Sequence, residues 1–259
     1  MKFYKYQGTG NDFVMIDNRK LFFPKDRTLI EKLCDRRFGI GGDGLILLEN
    51  DDAEAFRMVY YNSDGNESTM CGNGGRCIVA FAHFLKIFSE TVRFNAVDGL
   101  HEASIRNDIV KLKMIDVRAV ARDGNDFVLN TGSPHYVKYV EMLKNYNVYK
   151  NGNEIRNSPT YEKEGINVNF VEQLNDGEIF VRTYERGVED ETYSCGTGVT
   201  ASALSWFTEH SGEEIRVKVL GGNLKVYARK SGDSFTDIWL EGPAEQVFQG
   251  EIEIQSLLS

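Results

Sequence analysis

Cys71-Gly72-Asn73-Gly74 and Cys195-Gly196-Thr197-Gly198 are two copies of one phrase. Each leads into an apolar, helix-compatible stretch, Cys77-Ile78-Val79-Ala80-Phe81-Ala82 after the first and Ala201-Ser202-Ala203-Leu204-Ser205-Trp206 after the second. A cysteine at the mouth of a helix meets backbone N–H groups that lack intrahelical partners and the positive end of the helix dipole. Both stabilise a thiolate. One such cysteine points to a nucleophile. Two, supplied by matching parts of one chain, point to a pair facing a common substrate.

The match extends outward from the cysteines. Upstream, Phe56-Arg57-Met58-Val59-Tyr60-Tyr61-Asn62 resembles Ile179-Phe180-Val181-Arg182-Thr183-Tyr184-Glu185, both strand-like runs that end in a polar residue and a turn. Downstream, Glu90-Thr91-Val92-Arg93-Phe94 falls opposite Glu214-Ile215-Arg216-Val217-Lys218, and Asp108-Ile109-Val110-Lys111-Leu112 opposite Asp237-Ile238-Trp239-Leu240-Glu241. Near the start of each half, Gly10-Asn11-Asp12-Phe13-Val14 pairs with Ser133-Pro134-His135-Tyr136-Val137. The offset is nearly constant, and far longer than the unit of a solenoid, so it reads as a domain duplication. The expected halves are residues 1–122 and 123–259, divided near Asp123-Gly124-Asn125, related by a pseudo-twofold axis, with Cys71 and Cys195 across an interdomain cleft. Such clefts are preferred places for small-molecule sites.

Composition narrows the function classes. A chain of 259 residues with 41% hydrophobic content can bury one large core or two ordinary ones. It has no apolar run of membrane-spanning length, and Met1-Lys2-Phe3-Tyr4-Lys5-Tyr6 reads as a first strand rather than a secretory signal. A net charge of −9 argues against a nucleic-acid groove. Four cysteines, Cys34, Cys71, Cys77 and Cys195, make no disulfide framework and lack zinc-site spacing, which favours a reducing cytoplasm and predicts no metal. Cys34 and Cys77 read as packing residues.

Short alternating runs such as Phe13-Val14-Met15-Ile16 and Ile109-Val110-Lys111-Leu112-Lys113 predict strands bounded by Gly/Asn/Asp turns. The segment from Thr28 to Asp35 predicts a helix capped by Thr28, with Glu31 at the capping-box position. Gly39-Ile40-Gly41-Gly42-Asp43-Gly44 looks superficially like a phosphate loop, but no Lys-Ser/Thr follows it, and a tight turn before a strand accounts for it better.

Inverting an amino-acid α-carbon without a cofactor needs a base on one face and an acid on the other. A cysteine pair suits this, because an unperturbed thiol pKa of about 8.5 keeps thiol and thiolate both within reach. The glycines beside each cysteine let backbone N–H groups approach a substrate carboxylate.

The motifs Gly8-Thr9-Gly10-Asn11-Asp12-Phe13, Arg37-Phe38-Gly39-Ile40-Gly41-Gly42-Asp43-Gly44, Asn62-Ser63-Asp64-Gly65 and Cys71-Gly72-Asn73-Gly74-Gly75-Arg76-Cys77 occur in that order. They are followed by Gly132-Ser133-Pro134-His135, Asn167-Val168-Asn169-Phe170, Tyr184-Glu185-Arg186-Gly187 and Ser194-Cys195-Gly196-Thr197-Gly198. Together they resemble the diaminopimelate epimerase family over nearly the whole chain. The resemblance implies an α/β (α+β) fold of two pseudo-symmetric domains, each a β-barrel-like sheet around a central helix, with the active site in the interdomain cleft. It implies a cofactor-independent isomerase acting on diaminopimelate, and an often dimeric protein. Cys71 and Cys195 would be the acid/base pair, with His135 and Glu185 orienting the α-amino group and tuning the thiols. Asn11, Asn62 and Asn167 would contact polar groups of the substrate. Glu185 and Arg186 would hold its distal amino and carboxylate groups, and the amides of Gly72, Asn73, Gly196 and Thr197 would bind the carboxylate at the reacting centre.

The chain departs from the family pattern in three places. Gly44 stands where a glutamine is found, Ser133 where an asparagine is usual, and the loop Gly187-Val188-Glu189-Asp190-Glu191-Thr192 is one residue longer. The rival readings are a proline or hydroxyproline racemase-type epimerase, in which a histidine takes the place of Asn73, and a catalytically inactive amino-acid-binding relative.

Overall fold

The helices that follow Cys71 and Cys195 are buried on every side, and a helix with no wet face needs a sheet wrapped around it. The structure is a computed structural model that describes residues 1–254. In chain order the first elements are β1 (Lys2–Gly8), β2 (Asn11–Asp17), α1 (Arg27–Cys34), β3 (Gly44–Glu49), β4 (Arg57–Asn62), β5 (Glu67–Ser68), α2 (Gly72–Phe84), β6 (Thr91–Ala96), β7 (Gly99–Arg106) and β8 (Ile109–Lys113). Then come β9 (Ala121–Asp123), β10 (Asp126–Asn130), β11 (Pro134–Tyr139), α3 (Val148–Arg156), β12 (Asn167–Asn175), β13 (Glu178–Glu185) and β14 (Asp190–Thr192). The chain continues through α4 (Gly196–Glu209), β15 (Glu214–Val219), β16 (Gly222–Ser231), β17 (Ser234–Pro243) and β18 (Glu245–Glu251).

The chain divides into two compact units. One contains Met1–Leu112 together with the described segment from Gly242, and the other contains Lys113–Glu241. In the first unit the strands run β18-β1-β2-β3-β4-β6-β7-β8. The β2–β3 and β4–β6 pairs are parallel and the others antiparallel, and β5 takes the remainder of the β4 edge. In the second unit the strands run β9-β10-β11-β12-β13-β15-β16-β17. Here β11–β12 and β13–β15 are the parallel pairs, and β14 shares the β13 edge. The two orders and orientations correspond strand for strand, as a duplication requires.

This correspondence moves the expected boundary. The predicted halves met at residues 122 and 123, whereas the units part after Leu112, and the last strand of the chain belongs with the first. The reason is backbone pairing. β18 runs antiparallel to β1 from Lys2↔Glu251 to Gln7↔Glu245, the place that β9 takes beside β10 in the second unit.

In the first unit α2 packs against β1, β2, β3, β7 and β18, strands from both ends of the sheet, so the sheet curls around it. Every residue from Gly72 to Ala82 is buried. Phe81 meets the rings of Tyr4 and Tyr6 at 4.9 and 5.7 Å, and full burial of a phenylalanine contributes about 1.5–3 kcal/mol. α4 has the same role in the second unit, packing against β10, β11, β12, β13, β15 and β16. Its buried hydroxyls return hydrogen bonds to its own backbone, Thr200 to Gly196 O (2.9 Å) and Ser202 to Gly198 O (2.8 Å), so they cost little inside an apolar shell.

The opposite faces of these sheets carry the other two helices. α1 buries Leu29, Ile30, Leu33 and Cys34 against Val14, Ile16, Leu45, Leu47, Val59 and Tyr61. Its cap is not the predicted Thr28. Asp26 is the N-cap and its carboxylate accepts from Leu29 N at 2.9 Å, so the helix starts earlier and Thr28 lies within the first turn. In the second unit Val148 of α3 joins Val168, Phe170, Phe180 and Tyr184 in a core cluster.

Candidate active site

Each unit gathers the expected functional residues at equivalent strand ends beside a helix N-terminus. In the first unit Asn11 opens β2, Gly44 opens β3 and Asn62 closes β4, with Phe13 opposite Gly44 and Gly44 opposite Asn62 in the ladder. Cys71 is the N-cap of α2, and its sulfur accepts a hydrogen bond from Gly74 N at 3.2 Å. That is the bond a serine or aspartate oxygen makes at a helix start. Gly72 and Asn73 follow at the positions whose N–H groups have no carbonyl one turn back.

Hydrogen bonds tie Asn11 to this helix and to the glycine-rich turn. Asn73 Nδ2 donates to Asn11 Oδ1 (3.3 Å), and Asn11 Nδ2 donates to Asp43 Oδ2 (2.5 Å). Arg36 bridges Asp12 and Asp43, and the buried Lys5 pairs with Asp12 at 2.7 Å. Burial alone pushes the Asp12 carboxyl up, but hydrogen bonds and charge from Arg36 and Lys5 outweigh it and hold the group down at about 2. The turn at residues 39–44 is therefore a brace for Asn11. Gly44 itself has no room for a side chain, since a Cβ there would lie 2.5 Å from Tyr61 O and 2.6 Å from Tyr60 Cε2. The absent glutamine has a steric cause.

In the second unit His135 lies at the start of β11, Asn167 opens β12 and Glu185 closes β13, with His135 opposite Asn167. Cys195 is the N-cap of α4, its sulfur 3.5 Å from Thr197 Oγ1, and Thr197 O accepts from Thr131 Oγ1 at 2.9 Å. Gly198 is required by a close approach, because a Cβ there would meet Asn169 Oδ1 at 2.2 Å.

His135 is fully buried, which pushes its pKa down to about 3, helped by the Arg186 charge, so the ring is neutral. Asn169 Nδ2 approaches His135 Nδ1 at 3.1 Å and donates to Tyr136 O, while Asn169 Oδ1 accepts from Thr183. An amide nitrogen is a donor only, so Nδ1 is the acceptor and the proton sits on Nε2. Nε2 is buried with no partner among the described residues. A neutral N–H at Nε2 is a donor of the kind that suits a thiolate or carboxylate.

Asn167 spends its amide inside the unit. Its Nδ2 donates to Ser133 Oγ (2.6 Å) and Pro134 O (3.1 Å), and its Oδ1 accepts from Arg186 N (2.9 Å). It aligns the residues around it, and Ser133 is one of its partners. Glu185 accepts from Thr192 Oγ1 at 2.6 Å, and Arg186 is exposed while donating from Nη1 to Glu164 O at 2.9 Å. The longer loop forms the turn of the β13–β14 hairpin. Glu189 folds back there onto Gly187 N (3.0 Å), the Tyr184 hydroxyl and Arg156.

Cys71 and Cys195 are each partly exposed, whereas Cys34 and Cys77 are buried. Burial pushes the Cys34 thiol up to about 12 and the Cys77 thiol higher still, which leaves both inert as bases. The sequence reading missed Asp43, Asn169 and Arg76, although each lies inside a quoted motif. What marks them is a hydrogen bond to a recognised neighbour, which only the fold supplies.

Comparison with known proteins agrees with this geometry. A family model described as diaminopimelate epimerase matches residues 3–120 and 127–247. A diaminopimelate epimerase of Flavobacterium psychrophilum is 56% identical over 256 residues, covering 97% of this chain and 100% of its own. One from Chlorobaculum tepidum is 41% identical over 257 residues, covering 95% and 99%. Among solved structures, a phenazine biosynthesis protein of the PhzF family from Bacillus anthracis superposes with a TM-score of 0.75 at 14% identity, over 98% of this chain and 99% of its own. A hydroxyproline epimerase from Agrobacterium vitis superposes with a TM-score of 0.69 at 14% identity, over 97% and 90%. At that identity these two speak for the fold alone.

Proposed function

This chain belongs to the diaminopimelate epimerase family, and on that premise we propose that it interconverts LL- and meso-diaminopimelate, a step of lysine biosynthesis, by a two-base reaction of Cys71 and Cys195. The observation that carries the reading is the repeated placement of a partly exposed cysteine as the N-cap of a buried helix. One thiolate takes the α-hydrogen: the C–H bond breaks, an S–H bond forms, and the electron pair delocalises into the α-carboxylate. The other thiol then gives its proton to the opposite face, so its S–H bond breaks as the new C–H bond forms. The cysteines end with their charges exchanged, which is why the reverse reaction uses the same pair.

The N–H groups of Gly72, Asn73, Gly196 and Thr197 stabilise the charge that builds on the carboxylate, since helix N-termini favour anions. His135 adds a neutral donor at Nε2, Asn11 and Asn62 meet polar groups of the substrate, and Glu185 and Arg186 address its distal amino and carboxylate groups. Asn167 holds Arg186 and Ser133 in place. Nothing in this scheme requires a cofactor. No helix among the described residues is long and apolar enough to cross a membrane, and a cytoplasmic homodimer is part of the same proposal.

The test is a stereoisomer screen. LL-diaminopimelate should give the meso isomer, while proline and hydroxyproline isomers stay unchanged. Cys71→Ala and Cys195→Ala should each lower turnover in both directions by about 10³-fold, the scale of lost acid–base catalysis. Turnover of proline isomers without diaminopimelate, or binding of diaminopimelate without turnover, would overturn the reading.

A further inference from the structure

Arg76 is fully buried in α2, with no exposed surface. Its guanidinium donates from Nε to Pro243 O (3.3 Å), from Nη1 to Gly72 O (3.1 Å), and from Nη2 to Thr9 Oγ1 and Asn73 Oδ1 (both 3.1 Å). All four acceptors are neutral, and Arg76 pairs with no carboxylate among the described residues. A buried charge without a counter-ion is costly, and neutral side chains could tie the same groups together without that cost. Burial draws its pKa down to about 10, so the group is still cationic at neutral pH. The titratable groups around it are Cys71 and Cys77 on its own helix, with Tyr6 on β1 and Asp12 on β2 next to Cys77.

The guanidinium also sets a direction. Because Asn73 Oδ1 accepts from Arg76, Asn73 Nδ2 must face Asn11 Oδ1, and Asn11 in turn presents its Nδ2 to Asp43. A guanidinium only donates, so the polarity of both amides is imposed from the buried end.

We infer that Arg76 is a positioning residue: it orients Asn73 and Asn11, and it supplies the unpaired positive charge that holds an anion, thiolate or carboxylate, at the N-terminus of α2. The inference rests on the proposed role of that helix end. Its first test needs no substrate, so it stands apart from the fate of that proposal.

In a Cys195→Ala background, Cys71 alkylation by iodoacetamide is followed against pH by mass mapping. Arg76→Met should move the midpoint up by about one unit, a tenfold loss of thiolate at neutral pH. Arg76→Lys keeps the charge and should leave the midpoint in place. With both cysteines present, Arg76→Lys should raise KM for diaminopimelate severalfold with a smaller change in kcat, because a lysine lacks the fork that holds Asn73. Rates are expressed per folded molecule, from circular dichroism well below melting, so lost stability does not mimic the effect. An unmoved midpoint in Arg76→Met, or a parental KM in Arg76→Lys, would overturn the inference. If the methionine variant does not fold, the lysine variant decides by its KM.

Discussion

The sulfur of Cys71 occupies a place usually filled by a serine or aspartate oxygen, and in the proposed reaction that cap is also the base. The Gly74 N–H that donates to the sulfur would, on that proposal, steady a developing thiolate, and the helix dipole would act in the same sense. His135 shows the opposite strategy, a titratable group kept from titrating. The native ring stays neutral down to about pH 3, whereas an unfolded histidine takes up a proton below about pH 6.5. Between those values the unfolded state binds the extra proton, so stability falls as pH falls, by at most about 1.4 kcal/mol per unit. Urea midpoints measured from pH 7 to pH 5 should drop in the parent and drop less in His135→Gln. Equal slopes in the two proteins would show that His135 is not a buried neutral ring. The tautomer was out of reach of the sequence, since it follows from Asn169, two residues beyond the asparagine that the motif singled out.

At the scale of elements, the cysteine helices were legible in the sequence because the same Cys-Gly-x-Gly phrase leads each time into a largely apolar, helix-compatible run. The two parallel pairs in each sheet were not, because parallel pairing depends on crossover geometry rather than on alternation within a strand. The start of α1 was misplaced for a simpler reason. Asp26 and Thr28 are both good caps, and only the register of Leu29, Ile30 and Leu33 on the sheet decides between them. Asp26→Ala should therefore lower unfolding stability by about 1 kcal/mol, read from the urea midpoint, with kcat and KM unchanged. Thr28→Ala should cost less. A reversed ranking would return the cap to Thr28.

For the whole molecule, duplication is the fact that organises the rest. The same strand order, the same two parallel pairs and the same cysteine-capped helix occur in each unit. β18 completes the first unit where β9 completes the second. The repeat was readable from paired segments, but the return of the chain end to the first unit was not, because which sheet β18 joins is decided by its long-range pairing with β1 and not by any pattern within its own residues. The proposed two-thiol reaction makes one demand that a single base does not. The proton delivered must come from a different thiol than the one that removed it. The direct test is to run LL-diaminopimelate in deuterium oxide and stop early, then locate label at the α-carbon in both isomers. Two bases predict deuterium in the meso product and hydrogen retained in the recovered LL substrate. Label appearing in the recovered substrate as fast as in the product would mean that one group serves both faces, and would contradict the account.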